Sequence, residues 1–210
     1  MGKVAALYVQ SDGCYIGLDG VDPWPESRDA RGYPGPYPVV AHPPCARWGR
    51  YWYGGMFWIS QGREPKKLGD DGGCFSSALT AVRRWGGVLE HPAGSHAWDA
   101  HEIGHPPISG GWVPADFHDG WTCRVEQGHY GHRGRKATYL YAVGCRDLPS
   151  LRWGPSDMPP ISEAAKRADE GNIMFMSHRE RAATPVPFRD VLLSIARLSS
   201  APPPPTSSPT

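Results

Sequence analysis

The sequence predicts a single α/β domain, and three observations carry that prediction. Short apolar runs of strand length recur along the chain, at Val4–Val9, 38–41, 88–90 and Ala137–Val143. The middle two flank a stretch with helical periodicity, which makes a strand–helix–strand unit of the kind that builds parallel sheets. The length, 210 residues, suits one domain with a sizeable core.

Each element follows from local chemistry. Val4–Val9 (VAALYV) reads as a buried strand, and the segment from Asp19 to Pro38 as turn-rich and polar. Residues 38–41 form a second short strand that runs into His42-Pro43-Pro44-Cys45, followed by a loop dense in Arg, Trp, Tyr and Gly up to about residue 69. Phe75, Ala78, Leu79, Val82 and Trp85 then recur at helical spacing over 72–85, with Asp70 or Asp71 placed to cap the start and Gly86-Gly87 to end it. A strand begins at Val88-Leu89-Glu90. Two more strands, 122–125 and Ala137–Val143, bracket a polar turn holding His129, His132, Arg133, Arg135 and Lys136. Thr184 as N-cap with Pro185 behind it starts a last helix, whose apolar face is Phe188, Val191, Leu192, Ile195 and Leu198. The final segment, 201–210, is only Ala, Pro, Ser and Thr and is expected to be a disordered tail, leaving 1–200 as one domain.

Composition narrows the function classes. A formal net charge of +1 gives no global nucleic-acid footprint, although a local basic stripe is enough for phosphate contacts. The nine Trp and nine Tyr are expected mainly in the core and in stiff loops. Five widely spaced cysteines with no CxxC pair signal neither a disulfide framework nor a zinc knuckle. The histidine groups His96/His101/His105 and His129/His132 meet no zinc spacing, so no metal is expected. With no signal-peptide pattern and no run of membrane-spanning length, the expected location is the cytoplasm, with no membrane partner.

Cys45 and Glu90 are the candidate chemistry. Each follows an apolar strand of one strand–helix–strand unit, so both fall at the carboxyl edge of the sheet, where α/β folds bind ligands. Two prolines hold the backbone before Cys45 extended and remove two amide donors. By itself, a cysteine there is more often a small buried hydrophobe, and a strand-end Glu a solvated charge.

The ordered set resembles the cytosine-C5 DNA methyltransferases, and among them compact phage and prophage proteins with a His-Pro-Pro-Cys turn. The residues carrying the resemblance are Pro43-Pro44-Cys45, the helix opened by residues 69–73, Leu89-Glu90-His91-Pro92, the His132-Arg133-Gly134-Arg135-Lys136 segment, and the closing stretch from Arg179 through Thr184-Pro185 and its helix. The third segment is similar to the family's Gln-x-Arg-x-Arg, with His132 or the earlier Gln127 at the Gln position. The resemblance covers roughly residues 38 to 198. It implies a Rossmann-like methyltransferase sheet in which Cys45 is the nucleophile, Glu90 holds the base edge, and Arg133 or Arg135 helps hold the base or lowers the thiol pKa. The implied methyl donor is S-adenosylmethionine, with Asp12, Gly13 and Asp22 as candidate donor contacts and Asp19 as an alternative to the acidic ones. Substrate contacts are expected from Pro44, Arg47, Trp48, Arg50, His91 and Lys136.

Two departures from the family shape the expectation. Only 44 residues precede Cys45, and Gln10-Ser11-Asp12-Gly13-Cys14 stands where the family has Phe-x-Gly-x-Gly, so the domain reads as N-terminally shortened. The interval 144–177 is too short for a separate target-recognition domain. The expected substrate is therefore DNA read with slight sequence specificity or with a protein partner that supplies it, or else a single strand or a pyrimidine nucleotide. The competing readings are a catalytically inactive DNA- or protein-binding module on the same scaffold, and another pyrimidine C5 modification. The aromatic and basic loop 47–53 is an alternative contact surface, since aromatics interleaved with Arg stack on bases and reach phosphates.

Overall fold

A computed structural model describes residues 2–161 and 176–200; the expected tail at 201–210 lies outside the described residues. Seven strands form one mixed sheet: β1 Val4–Val9, β2 Val21–Pro25, β3 Val39–Ala41, β4 Gly87–Pro92, β5 Val113–Pro114, β6 Trp121–Glu126 and β7 Ala137–Val143. Their order across the sheet is β2-β1-β3-β4-β7-β6-β5. The first four are mutually parallel, β7 runs against β4, and β6 and β5 alternate after it. The α/β class is thus observed as a mixed sheet with helices on its faces.

Period-two alternation divides the core. Ala5, Leu7, Val39, Ala41, Leu89 and Tyr141 face α2 (Cys74–Trp85), while Val4, Ala6, Val40, Val88, Leu140 and Ala142 face α5 (Val186–Leu198). Helix α2 buries Phe75, Ala78, Leu79, Ala81 and Val82. Of the two candidate caps, Asp71 is the one used: its carboxylate accepts from the backbone N–H of Gly73 and Phe75 and from Trp48 Nε1. Helix α5 buries Phe188, Leu192, Leu193, Ile195 and Ala196, each large side chain contributing about 1.5–3 kcal/mol. Leu198, expected on that face, is 58% exposed, and Pro185 occupies the cap position in place of Thr184, with no side-chain cap bond. The shorter helices are α1 Gly55–Ser60, α3 Ala97–Ala100 and α4 His178–Ala182. Among the described residues no helix is long and apolar enough to cross a membrane.

Strand β2 falls in the segment expected to be turn-rich. Its two prolines are tolerated because it is an edge strand, where a missing N–H costs no ladder bond. It pairs in parallel with β1 across a connection, residues 10–20, that contains no helix.

The pairing that aligns the two candidate catalytic turns is β3 with β4, through Val39↔Gly87, Val40↔Val88 and Ala41↔Leu89. Gly87 makes it possible: at φ +123° a Cβ there would lie 2.0 Å from the Val39 carbonyl oxygen. Gly87→Ala is therefore expected to destabilise the fold by at least ~2 kcal/mol in denaturant unfolding, whereas Gly32→Ala, with open space around it, changes little. Equal stability of both variants would contradict this account of the β3–β4 junction.

Candidate functional site

Strands β3 and β4 are adjacent and parallel, so their exits lie at one edge of the sheet. Strand β3 leaves through His42, Pro43 and Pro44 to Cys45, whose carbonyl accepts from the N–H groups of Trp48 and Gly49, at 3.0 and 2.9 Å, in a tight turn. The cysteine is exposed. Glu90 is still within β4, paired in register with Leu140 of β7, and only 8% exposed. Cys45 and Glu90 line the same cavity, of about 850 Å³, together with Cys14, His42, Lys136 and Arg179.

A buried carboxylate needs donors, and Glu90 has two. His42 Nδ1 donates to Oε2 at 2.9 Å, and Gln127 Nε2 donates to Oε1 at 3.0 Å. The chain continues on both sides. The Tyr15 hydroxyl lies 2.9 Å from His42 Nε2, and Gln127 Nε2 also donates to Thr138 Oγ1, which donates to the Lys136 carbonyl. Tyr15 is buried, and burial pushes its phenol well above its ordinary pKa, so its O–H donates to His42 Nε2. That fixes the His42 tautomer with its proton on Nδ1, facing Glu90. Burial raises the Glu90 pKa, but the His42 hydrogen bond and the positive charge around it outweigh that, holding the carboxyl down at about 2. Glu90 is thus an ionised acceptor.

Cys45 has the opposite balance. Desolvation pushes its thiol up, the Glu90 charge adds to that push, and Lys136 opposes both. Lys136 stands at φ +41°, a conformation uncommon outside glycine, and its ammonium donates to the carbonyls of Ala182 and Ala183 at 2.8 Å each. Burial lowers its pKa, against which Glu90, Cys45 and Cys14 act. Lys136 is therefore the cation of this cavity that acts on both Cys45 and Glu90; Arg179 and Arg181 also line it.

Other expected site residues lie elsewhere. Arg135 donates to the Met158 carbonyl and Arg133 pairs with Glu180 at 3.2 Å; neither is among the described residues lining the cavity, where the basic residue of this segment is Lys136. Trp48 is 7% exposed, packed on Phe75 and His101, and is a core anchor, not a base contact. Arg47 is half-buried outside the cavity and its carbonyl closes a turn with Gly69; Arg50 is exposed beside the Tyr51 ring. His91 points to the opposite face from Glu90, buried between Phe75 and Trp98, so it touches no substrate in this cavity. The Pro44 carbonyl is close enough to favour its protonated form, yet neither ring nitrogen reaches hydrogen-bond geometry with a described residue. Pro44 does line the cavity.

A second cavity, of about 1160 Å³, opens at the ends of β1 and β2 and shares Tyr8, Gln10, Asp12 and Pro44 with the first. Tyr8 stands at the boundary they share. It sits inside β1 at φ 58°, at an irregularity in the β1–β2 register, and its hydroxyl bonds Ser77 Oγ of α2 at 2.7 Å. Asp12 lines both cavities and is ion-paired with Arg179, and Gly13 lines the first. Gly13 closes its turn with an N–H donated to the Gln10 carbonyl at 3.0 Å, where a Cβ would come within 3.1 Å of that oxygen. Asp22, an expected donor contact, lies within β2, held by Arg28 at 2.7 Å and Trp24 Nε1 at 2.9 Å, and lines neither cavity. The acidic residue that follows β2 into the second cavity is Glu26, which has no side-chain partner among the described residues. Asp19, the alternative acidic residue, lines neither. Among the described residues no group of three or more His, Cys, Asp or Glu is arranged to hold a metal.

No family model matches the chain, and neither does any curated protein or solved structure.

Two measurements check these electrostatics. Burial holds the His91 imidazole down at about 4, below its unfolded value, so its neutral form stabilises the fold above pH ~6.5 and that contribution is lost as pH falls toward 4. The Glu90 contribution is lost only lower, as pH falls from ~4.5 toward 2. Unfolding free energy should decline by on the order of 2–3 kcal/mol between pH 6.5 and 4, and His91→Leu should remove most of that limb, leaving the part from His101 and His132, which burial also lowers, and the lower limb. A wild-type limb that persists in His91→Leu would assign it to another group. Separately, Lys136→Met should move the midpoint pH of Cys45 alkylation, read peptide by peptide, upward by about half to one unit, with Lys136→Arg close to wild type. An unmoved midpoint would remove Lys136 as the thiol's electrostatic partner.

Proposed function

We propose that this protein modifies a pyrimidine base at C5, in DNA or at the nucleotide level, through a covalent adduct between Cys45 and C6 of the ring. The observation that supports it is the meeting of a thiol, an ionised carboxylate and an ammonium, from Cys45, Glu90 and Lys136, on one cavity at the ends of adjacent parallel strands. C5 of cytosine is a poor nucleophile. Addition of the Cys45 thiolate to C6 forms an S–C6 bond and shifts the C5–C6 π pair toward N3, leaving an enamine with a nucleophilic C5. Negative charge accumulates at N3 as the bond forms. Glu90, with two protein donors already on it and lone pairs remaining, accepts from the exocyclic amine and from N3–H once N3 has taken a proton from solvent. After C5 has reacted, the C5 proton leaves to solvent, the S–C6 bond breaks, N3 gives its proton back and Cys45 is released. The Tyr15–His42 arm and Gln127 keep its oxygens aimed. Lys136 favours the thiolate against the opposing charge of Glu90. A base in a duplex would have to leave the stack to enter the cavity.

The default reaction is methyl transfer on a Rossmann-like methyltransferase scaffold. S-adenosylmethionine, when bound, supplies an electrophilic methyl group. The second cavity fits such a donor in kind: Glu26 offers a free carboxylate for ribose hydroxyls, Trp24 an aromatic wall, and the shared boundary at Tyr8, Gln10 and Asp12 connects with the Cys45 cavity. This open space favours the enzyme reading over a donor-less binding module.

Transfer of tritium from methyl-labelled S-adenosylmethionine to mixed-sequence DNA tests the methyl reading, with Cys45→Ala as control. Release of tritium from C5-labelled cytosine into water tests the C6 addition without any donor. Both signals are expected in wild type and a loss of at least about 100-fold in Cys45→Ala. Exchange without methyl transfer would point to another C5 modification. Absence of both, on DNA and on deoxycytidine monophosphate, would leave a binding module.

A further inference from the structure

The segment that leaves Cys45 has a surface the cavity chemistry does not use. Residues 46–69 form a loop closed at its base, where Gly69 N–H donates to the Arg47 carbonyl at 3.0 Å and Lys66 N–H to the Tyr53 carbonyl at 3.1 Å. Trp48 pins one end into the core through Asp71, and its carbonyl accepts from His96 N–H, tying the base to the turn after β4. Beyond that anchor the loop turns its apolar groups outward. Helix α1 buries none of its six residues; Met56 is 72% exposed, Phe57 80% and Tyr51 62%. Large exposed apolar side chains gathered in one place mark an interaction surface.

Charge selects the partner. The loop carries Arg47, Arg50, Arg63, Lys66 and Lys67 against the single Glu64, a net +4 within a chain whose total is +1. The cations are held close to these rings: Arg63 and Lys66 lie over the half-buried Trp58 ring, 4.5 and 4.1 Å from its centre, and Arg50 lies 5.7 Å from that of Tyr51. The rings left open are Phe57 and Tyr51, and open aromatic rings among fixed cations are the pattern that stacks unpaired bases while neutralising the phosphates between them. A helix of six residues is too short to lie in a lipid interface as an amphipathic anchor. We infer that loop 46–69 is a docking surface for single-stranded nucleic acid, which delivers the strand to the cavity that begins one residue before it. The inference rests on the reading of that cavity as a pyrimidine site, and it names the substrate as a polynucleotide strand.

The test is fluorescence anisotropy of the full chain with a fluorescein-labelled mixed-sequence 20-mer, single-stranded and as duplex, over a salt series. Single strand should bind at least about ten-fold tighter than duplex, and Phe57→Ala should weaken it about ten-fold. The double variant Arg63→Gln/Lys66→Gln should reduce the log–log salt slope by about 1.4. None of these side chains is buried, so thermal unfolding should match wild type and exclude misfolding as the cause. Binding unchanged in both variants would overturn the inference. So would self-association abolished by Phe57→Ala, or capture by anionic phosphatidylserine vesicles, with no oligonucleotide binding. C5 tritium release, from deoxycytidine monophosphate and from the labelled strand, separates the two proposals: exchange on the nucleotide without strand binding refutes only the loop, and strand binding without exchange on either substrate refutes only the cavity chemistry.

Discussion

The structure of the candidate site depends on how one buried carboxylate is satisfied. Glu90 sits within β4 at 8% exposure, and leaving it charged requires donors on both oxygens. The donors come from different parts of the chain: His42 after β3, backed by Tyr15 from the turn after β1, and Gln127 after β6, backed by Thr138 in β7. A single hydrogen-bond chain therefore crosses the carboxyl edge of the sheet and locks five segments in one arrangement. Its cost is visible. The Gln127 Oε1 has no partner among the described residues, since turning the amide to satisfy it would set oxygen against oxygen at Glu90. Structural need and chemical readiness coincide here, because the donors that make burial tolerable also keep the carboxylate ionised and aimed.

The same edge shows how a small domain makes room for two groups. Tyr8, held in a left-handed conformation within β1, interrupts the β1–β2 ladder and reaches across to α2. Tyr8 lines both the cavity at the ends of β1 and β2 and the one beside Cys45. No helix fills the β1–β2 connection. Backbone strain at a shared wall is the kind of feature that persists where the surrounding fold over-determines it.

Much of the fold was legible because its signals are local. Ala137–Val143 was delimited by its own composition, and the buried positions Phe75, Ala78, Leu79 and Val82 of α2 by spacing alone. Strand β2 was hidden by Pro23 and Pro25, whose turn signal holds for central strands and fails at an edge. At the site, the turn holding Cys45 and the strand end holding Glu90 were legible as a pair because both follow apolar strands of one unit. Their partners were not, because His42–Tyr15 and Glu90–Gln127 join positions 27 and 37 residues apart, contacts no spacing rule encodes. Lys136 was named only as a substrate contact while Arg133 and Arg135 took the helper role. Which side chain of such a turn faces the cavity is decided by the φ of +41° at Lys136, a backbone choice the residue type does not advertise. Glu26 was not legible for a related reason: without β2 in view, the acidic residue at its end had no reason to stand out.

The central claim is that Cys45 adds to C6 of a pyrimidine held by Glu90. The most direct measurement is intact-mass and peptide-mapping analysis of the chain after incubation with an oligonucleotide bearing 5-azacytosine, whose ring accepts a thiolate at C6 and retains it. The account requires a stable protein–oligonucleotide adduct mapped to the Cys45 peptide, absent in Cys45→Ala and reduced by at least about 100-fold in Glu90→Gln. No adduct, or one carried by Cys14 or another cysteine and unaffected by either substitution, would contradict it.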